Sequence, residues 1–198
     1  MRPPVPSADF IRKRLAEQPR RAQLRDGYRH AAVLIPLLPA DGEWVVLLTR
    51  RNSDLPHHKG QVAFPGGSVD EGENCVEAAL REAHEEIGLT PSRVEVLGCH
   101  DDIWTPSGFI ISPVVGVLPD LDGLTANPAE VARMFSVPLS FFAEEQAGQR
   151  QTLRHEGIDR EVFFYTWEAE TIWGATALIL RNFLGLIDLL DDAARHRA

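Results

Sequence analysis

Three glutamates, Glu82, Glu85 and Glu86, have the spacing of neighbours on one face of a helix. The segment 73–87 predicts this helix, because apolar residues recur at helical spacing along another face: Val76, Ala79, Leu80, Ala83 and Ile87. Like charges at this spacing destabilise a bare helix, and a divalent cation among them removes the repulsion. Carboxylate oxygens are ligands that suit Mg²⁺ or Mn²⁺. The spacing therefore indicates a metal site, and the alternative interpretation is a solvated acidic face.

The residues around the helix favour the metal site over the solvated face. Gly66 and Gly67 allow a tight backbone bend before the helix. Arg81 can hold a carboxylate through two parallel hydrogen bonds. Gly88 stands where a left-handed cap would end the helix.

Residues 67–89 also fit a longer template, G-x5-E-x7-R-E-U-x-E-E-x-G-U, in which U is an aliphatic residue. The matching positions are Gly67, Glu73, Arg81, Glu82, Ala83, Glu85, Glu86, Gly88 and Leu89. Only Ala83 is a weak match, since it is smaller than the usual Ile, Leu or Val. This stretch resembles the Nudix box, so the chain looks like a hydrolase of nucleoside diphosphates linked to another group.

The resemblance implies an α/β fold, the Nudix α/β/α sandwich with a mixed sheet, and a strand–loop–helix cradle for Mg²⁺ or Mn²⁺. By match to the motif, the metal ligands are Glu82, Glu85, Glu86 and the carbonyl of Gly66. Glu82 is also the usual candidate for activating water, with Arg81 and Glu73 orienting it. Glu130 lies in the loop that supplies a further carboxylate in many Nudix proteins, and its alternative interpretation is a surface glutamate.

A second signature lies immediately upstream, in LLTRRNSDLPHHKGQVAFPGG from Leu47 to Gly67. It is similar to L-L-T-x-R-[SA]-x3-R-x3-G-x3-F-P-G-G, the signature of the Nudix subfamily that cleaves coenzyme A (CoA). Asn52 stands where Ser or Ala is usual, and Pro56 where Arg is usual. The cations that could replace the missing Arg are His57, His58 and Lys59.

Further segments extend this resemblance over about residues 29–190, namely SPVVGVLPD, EVARMFSVPL and WGATA. It implies hydrolysis of the pyrophosphate of CoA to 3′,5′-ADP and 4′-phosphopantetheine. Two alternatives remain open. The same chemistry could act on ADP-ribose, a dinucleotide or a damaged nucleotide, or the chain could be a binding module that senses a nucleotide.

Several residues are candidates for contact with such a substrate. Arg50, Arg51 and Lys59 form a basic loop beside the metal site, which suits a diphosphate with extra negative charge. The alternative for Arg50 and Arg51 is a surface position at a strand end. Gly67 is a further candidate for contact with the substrate. Trp104 or Phe109 could stack on adenine, and core packing is the alternative for both.

Composition favours a single domain, residues 1–198, with an acidic body and formal net charge −9. Residues 1–29 form a basic amino-terminal segment with eight Lys or Arg and three Asp or Glu. This segment could be an arm over the acidic site or an amphipathic helix. An acidic body without a nucleic-acid-reading motif argues against nucleic acid as a partner. The substrate is therefore expected to be a small molecule.

The two cysteines, Cys75 and Cys99, give no disulfide framework, which favours a reducing cytoplasm. We find neither an apolar signal core nor a stretch of membrane-spanning length, so no membrane association is expected. The closing helix is apolar on more than one side, through Ile179, Leu186, Leu189 and Leu190, which hints at a homodimer. His100, Asp101 and Asp102 are expected to be mostly solvated at a strand end.

The pattern along the chain also predicts the order of elements. Ser7 or Asp9 could cap a helix that runs to about Gln18. A hairpin is predicted around Asp41 and Gly42. The other predicted strands are 60–64, 93–99, 110–118 and 162–167; the predicted loops are 101–109 and 120–128; the further helices are 138–145 and 176–194.

Overall fold

The computed structural model describes residues 5–54, 59–144, 147–155 and 157–190. The strands are β1 (Arg29–Ala40), β2 (Glu43–Arg51), β3 (Val62–Ala63), β4 (Gly66–Ser68), β5 (Glu95–Cys99), β6 (Ile103–Thr105), β7 (Phe109–Val117), β8 (Val131–Pro138), β9 (Gly148–His155), β10 (Ile158–Trp167) and β11 (Glu170–Trp173). The helices are α1 (Ala8–Glu17), α2 (Cys75–Ile87), α3 (Leu139–Ala143) and α4 (Gly174–Leu186), with a single 3₁₀ turn at Pro91–Arg93.

The first eight strands form one mixed sheet. Its main path runs β3–β2–β1–β7–β5, with β4 beside β1, β6 beside β7 and β8 beside β2. β1 and β7 run parallel, whereas the other pairings in this sheet are antiparallel. The predicted hairpin is confirmed, because β1 and β2 are antiparallel neighbours joined at Asp41 and Gly42.

Helices cover both faces of this sheet, because its central strands are apolar on both sides. On one face, Ala32 and Leu34 of β1 pack with Ala79 and Ala83 of α2. On the other face, Ile35 of β1 belongs to a second cluster that includes residues of α1, α3, α4 and the smaller sheet β11–β10–β9. The predicted α/β fold with a mixed sheet between helices is confirmed.

The basic amino-terminal segment contains helix α1, which Ser7 caps by accepting a hydrogen bond from the Phe10 N–H. Ile11 and Leu15 on its inner side are buried. The remaining side chains of the helix, including its cations, are partly or fully exposed. Of the two interpretations of residues 1–29, the amphipathic helix agrees with this arrangement.

Helix α2 begins at Cys75, two residues later than predicted. The side chain of Asn74 accepts hydrogen bonds from Val76 N and Glu77 N, while Glu77 accepts from the Asn74 N–H, which completes a capping box. Glu73 therefore lies outside the helix. Gly88 provides the predicted left-handed cap at the other end.

Some predicted boundaries are wrong. The loop predicted at 101–109 contains β6, and Phe109 begins β7. The strand predicted at 162–167 is the second half of β10, and its neighbours β9 and β11 were not foreseen. Polar residues fill most of β9, GQRQTLRH, so it has no apolar alternation to detect.

The closing helix α4 is shorter than predicted, since it ends at Leu186 and residues 191–198 lie outside the described part of the chain. Its apolar breadth is explained within the chain, because Ile179, Leu186 and Leu190 are buried there. These residues consequently give no support to a homodimer. In the described residues, no helix is long and apolar enough to cross a membrane.

Candidate active site

The turn before α2 lies tightly against its neighbours. Gly66 and Gly67 belong to β4, which pairs with Val33 and Ala32 of β1. Gly66 has φ 155°, and a Cβ there would lie 2.3 Å from the Ala32 carbonyl oxygen. A Cβ on Gly67 would lie 2.4 Å from Cδ of Glu82. Glycine is therefore required at position 66, where backbone atoms occupy the space of a side chain, whereas a side chain at position 67 would displace the Glu82 carboxylate.

Glu86 is the most buried of the three helix carboxylates, with 4% of its side chain exposed. It accepts a hydrogen bond from the Gly66 N–H at 3.2 Å and lies 3.3 Å from Nη1 of Arg51. Burial raises the pKa of Glu86 to about 7, against the lowering effects of the Gly66 N–H and Arg51. The nearby charges of Glu130 and Glu82 also raise this pKa.

Glu82 faces Gly67 and is largely buried, with 16% of its side chain exposed. Burial raises its pKa, Arg81 opposes that shift, and the charges of Glu85 and Glu130 add to it. Glu85 differs from the other two, since 51% of its side chain is exposed. Of the three predicted ligands, Glu82 and Glu86 are thus largely buried, and Glu85 is about half exposed.

Arg81 connects the parts of the site. Its Nε and Nη2 donate to the two carboxylate oxygens of Glu73 at 2.7 and 3.0 Å. Nη2 also donates to the Ser68 carbonyl oxygen at 3.0 Å, and Nη1 donates to Glu82 at 2.9 Å. Arg81 lowers the pKa of Glu73, with a further contribution from the Asp70 N–H. The guanidinium thus connects Glu82 with Glu73 and with the Ser68 carbonyl oxygen of β4.

Glu130 lies on a loop that is anchored to both sides of the site. The Asn127 N–H donates to the Glu86 carbonyl oxygen at 2.8 Å, and the Asn127 side chain donates to Glu130 Oε1 at 3.3 Å. Asn52, which directly follows β2, donates its backbone N–H to the Glu130 carbonyl oxygen at 2.8 Å. Its side-chain Nδ2 donates to the Pro128 carbonyl oxygen at 2.7 Å. Neither asparagine was predicted from the sequence as a positioning residue.

The three residues of the predicted basic loop have different surroundings in the structure. Arg51 pairs with Glu86, and its Nε is buried without a hydrogen-bond partner among the described residues. Arg50 pairs instead with the buried Glu170 at 3.2 Å, which is a structural role. Lys59 is exposed. Residues 55–58, which include the predicted substitutes His57 and His58, lie outside the described part of the chain.

Trp104 and Phe109 lie on the far side of the sheet centre from the glycine turn. Trp104 pairs with Ile110, and β7 and β1 separate it from β4. Three strand spacings of about 4.8 Å place the two parts about 14 Å apart. The guanidiniums of Arg25 and Arg160 lie 4.2 and 4.3 Å from the Trp104 ring centroid. Both cations therefore lie against the indole ring.

The Phe109 ring is also covered, because the guanidinium of Arg29 lies 4.3 Å from its centroid. Arg29 can cover only one face of Phe109, so an arginine would have to move away only where adenine stacked on a face that these guanidiniums occupy. The expectation that Asp102 is solvated is wrong. Asp102 is buried and accepts hydrogen bonds from Arg20 Nε at 2.7 Å and Nη2 at 3.0 Å. It is a structural residue that attaches the amino-terminal segment to the sheet.

The carboxylates of this site offer oxygen donors to a divalent cation. In the part of the chain that the structure describes, no three His, Cys, Asp or Glu side chains already meet as a closed metal cluster. The donor set is nevertheless suitable, since Glu82 and Glu86 are hard oxygen ligands near the charge of Glu130. Burial is the first cause of the raised pKa of both carboxylates and the neighbouring carboxylates add to it, so a bound cation would stabilise their charged forms.

Comparison with known proteins places this site in a family. The NUDIX domain model matches residues 28–165. NudL, an uncharacterized Nudix hydrolase of Photorhabdus laumondii, is 39% identical over 177 residues, which cover 88% of this chain and 94% of NudL. NudL of Yersinia enterocolitica is 36% identical over 183 residues, covering 92% and 93% of the two chains.

A solved structure, the Nudix hydrolase RenU of M. smegmatis, aligns with a TM-score of 0.49 at 27% identity, over 60% of this chain and 74% of that one. On the family match and the NudL relatives, the chain belongs to the NUDIX domain family and is a Nudix hydrolase. Enzymes of this family generally use divalent metal ions.

Proposed function

We propose that the protein hydrolyses the pyrophosphate bond of CoA and its acyl or oxidised derivatives, giving 3′,5′-ADP and 4′-phosphopantetheine. The observation that carries this proposal is the contact between the two sequence signatures. Arg51 and Gly66 belong to the CoA-type signature, and both contact Glu86 of the Nudix box. These contacts support the proposal that the upstream segment belongs to the catalytic centre.

The metal is held by Glu82, Glu85, Glu86 and the Gly66 carbonyl in this proposal. Mg²⁺ or Mn²⁺ bound there would polarise a phosphoryl oxygen and lower the pKa of water. Glu82 or Glu130 accepts the proton of the attacking water, and Arg81 with Glu73 orients Glu82. The water oxygen bonds to one phosphorus while the bridging P–O bond breaks, and the leaving phosphate keeps the bridging oxygen.

The substrate is held along the turn and the basic residues. We assign Gly67, which lies against the Glu82 carboxylate, to the diphosphate-binding turn, and Arg51 and Lys59 offset the negative charge of the diphosphate. By strand spacing, Trp104 lies about 14 Å away and Phe109, one strand nearer, about 10 Å away, distances that an extended substrate such as CoA can span. The arginines on these rings give that end of the site a positive charge.

A second candidate function is the same hydrolysis of ADP-ribose, a dinucleotide or another nucleoside diphosphate derivative. Pro56 favours it, because this residue removes a cation that the CoA-type signature supplies. Both candidates use the same carboxylates, so they differ in substrate affinity and not in chemistry. The retained carboxylates argue against a third class, a non-catalytic nucleotide sensor.

The test is chromatographic analysis of products from CoA, ADP-ribose and NADH, each with Mg²⁺ or Mn²⁺. Glu82→Gln is assayed beside Glu71→Gln, a control that changes an exposed glutamate in the loop before α2. We expect 3′,5′-ADP and phosphopantetheine from CoA, and loss of turnover only in Glu82→Gln. Turnover of ADP-ribose with CoA spared would replace the first candidate with the second. Parent-level cleavage by Glu82→Gln would contradict both.

We further propose that the chain acts as one domain in the cytoplasm on a small-molecule substrate, without nucleic acid or a membrane as partner. One hydrophobic cluster joins α1, the large sheet, α4 and the smaller sheet, which supports a single domain. A homodimer remains a prediction, and sedimentation velocity of the purified chain measures it directly.

A further inference from the structure

A pair of thiols lies at the start of the helix that carries the carboxylates. Cys75 is the first residue of α2 and Cys99 is the last residue of β5. Their sulfur atoms are 3.7 Å apart, and both residues are partly exposed. Glu82 is seven residues further along α2, about 10 Å at helical rise, so the pair is separate from the carboxylates.

A fixed cation lies beside one of the two sulfurs. Nη1 of Arg20 is 3.1 Å from Sγ of Cys75. The same guanidinium is held by two hydrogen bonds to the buried Asp102 and a third, at 2.9 Å, to Ser112 Oγ. Because Asp102 and Ser112 are both buried, Arg20 is held in place next to Cys75.

The surroundings distinguish the two thiols electrostatically. The pKa of Cys75 is lowered to about 6, first by a hydrogen bond from the Cys99 thiol and then by the charge of Arg20, against the effect of burial. The pKa of Cys99 is raised, first because its proton is shared with Cys75 and then by burial. The position of Cys75 at a helix amino terminus acts in the same direction as Arg20.

We propose that Cys75 and Cys99 form a peroxide-reactive dithiol that closes reversibly to an intramolecular disulfide. The Cys75 thiolate attacks one peroxide oxygen, the O–O bond breaks, and the departing oxygen leaves as water or an alcohol after protonation. Cys75 is then a sulfenic acid. The sulfur of Cys99 attacks the sulfur of Cys75, and the sulfenic oxygen leaves as water with the Cys99 proton.

The geometry suits this closure. A disulfide needs sulfurs about 2.05 Å apart, so the two sulfurs must approach by less than 2 Å. The new bond would tie the first residue of α2 to the end of β5. Reversible disulfides in a reducing compartment are typically redox-sensing, which agrees with a protein that has no other cysteine. The inference concerns the thiols alone and does not depend on the identity of the substrate.

The first test exposes the full-length native protein to hydrogen peroxide and measures its intact mass without reductant. We expect the loss of two hydrogens per chain, a single cross-linked peptide pair containing Cys75 and Cys99, and full reversal by dithiothreitol. In Cys99→Ser, which lacks the second thiol, we expect a dimedone adduct on Cys75. Persistence of both thiols under these conditions, or disulfides formed only between chains, would overturn the proposal.

The second test asks whether Arg20 sets the reactivity of Cys75. The rate of dimedone-trapped oxidation at pH 7 is compared for Arg20→Gln and Arg20→Lys in the Cys99→Ser background. Arg21→Gln is the matched control, because Arg21 is adjacent and largely exposed. We expect about a tenfold fall for Arg20→Gln and a smaller fall for Arg20→Lys. An equal rate in Arg20→Gln and the control would remove Arg20 from the proposal.

Arg20→Gln also leaves the buried Asp102 without its cation, so circular dichroism is recorded for each variant. Where Arg20→Gln is unfolded, the Cys99→Ser adduct and the Arg20→Lys rate decide the outcome. If Arg20→Lys is folded and its Cys75 is oxidised as fast as in the control, the positive charge at position 20 is what makes Cys75 reactive. No adduct in folded Cys99→Ser would overturn the proposal.

Discussion

The backbone of Asn52 donates a hydrogen bond to the carbonyl oxygen of Glu130 at 2.8 Å, and its side chain donates to the carbonyl oxygen of Pro128 at 2.7 Å. Asn52 is the residue that replaces the usual Ser or Ala of the CoA-type signature. Its longer side chain is thus used to hold the loop that carries Glu130. The residue that departs from the CoA-type signature, Asn52, therefore helps to position the candidate catalytic carboxylate of Glu130.

Asn52→Ala is expected to lower kcat several-fold with a smaller change in KM. The substitution removes the bond to Pro128 and keeps the backbone bond to Glu130, so the loop is loosened and not released. Loss of one such hydrogen bond costs about 1 kcal/mol. Steady-state kinetics and a urea titration measure both effects. Asn52→Ser should behave like Asn52→Ala because its hydroxyl is too short, and parent-like kinetics in both variants would remove Asn52 from the site.

Gly67→Ala is expected to lower turnover by about 100-fold while the protein stays folded. The new Cβ would lie 2.4 to 2.6 Å from the carboxylate atoms of Glu82, which must move out of its position. Misplacement of a catalytic group by about 1 Å costs this order of rate. Product assays with CoA and Mg²⁺ measure the loss.

Gly72→Ala is the control for that experiment. Gly72 lies in the loop before α2 with φ 88°, and a Cβ there would meet nothing within 4 Å. We expect it to lose about 1 kcal/mol of stability through backbone strain and to retain its activity. Equal loss of activity in the two variants would mean that backbone strain, and not contact with Glu82, explains the Gly67 result.

The centre of the site could be predicted from sequence because it is local. Glu82, Glu85 and Glu86 lie on one helix, and the cap at Gly88 is set by neighbouring residues. Asp102 could not be placed in this way, since its partner Arg20 is 82 residues distant in the chain. The strand β9 was missed for another reason, which is that it has no apolar pattern and is identified only by pairing with β10.

The partner of Arg51 was also beyond a sequence argument. Arginine suits a phosphate and a carboxylate equally, and the choice between them depends on which one lies nearby in space. The structure places Glu86 next to Arg51, so this arginine supports a carboxylate in the structure. Spacing alone thus brings the candidate metal ligands together, whereas the pairing of Arg51 with Glu86 depends on the fold.

Removal of divalent metal with EDTA is expected to abolish turnover, and Mg²⁺ or Mn²⁺ should restore it. Glu86→Gln and Glu82→Gln are expected to weaken Mn²⁺ binding and turnover by about 100-fold, because both side chains lie inward. Glu85→Gln should lose less, since half of its side chain is exposed. Calorimetric titration with Mn²⁺ and metal-dependent kinetics rank the three variants by their loss of Mn²⁺ affinity and of turnover. A larger loss in Glu85→Gln than in Glu86→Gln would contradict this assignment of ligands.

His100 should make the stability of the protein dependent on pH. Burial lowers the pKa of His100 below its usual 6.5, against the raising effects of the Asn182 backbone and Asp101. The unfolded chain therefore binds a proton below about pH 6.5 that the folded chain does not. The free energy of unfolding should fall as the pH drops through and below this value, by about 1.4 kcal/mol for each unit of pKa difference.

Urea titrations at pH 7.5, 6.5 and 5.5 measure this dependence in the parent and in His100→Phe, which cannot titrate. We expect a weaker fall in stability in His100→Phe, because one source of proton uptake on unfolding is gone. His30→Phe is the control, since His30 is exposed. If His100→Phe and His30→Phe keep the full pH dependence of the parent, other groups cause it, and the burial of His100 has no effect on stability in this range.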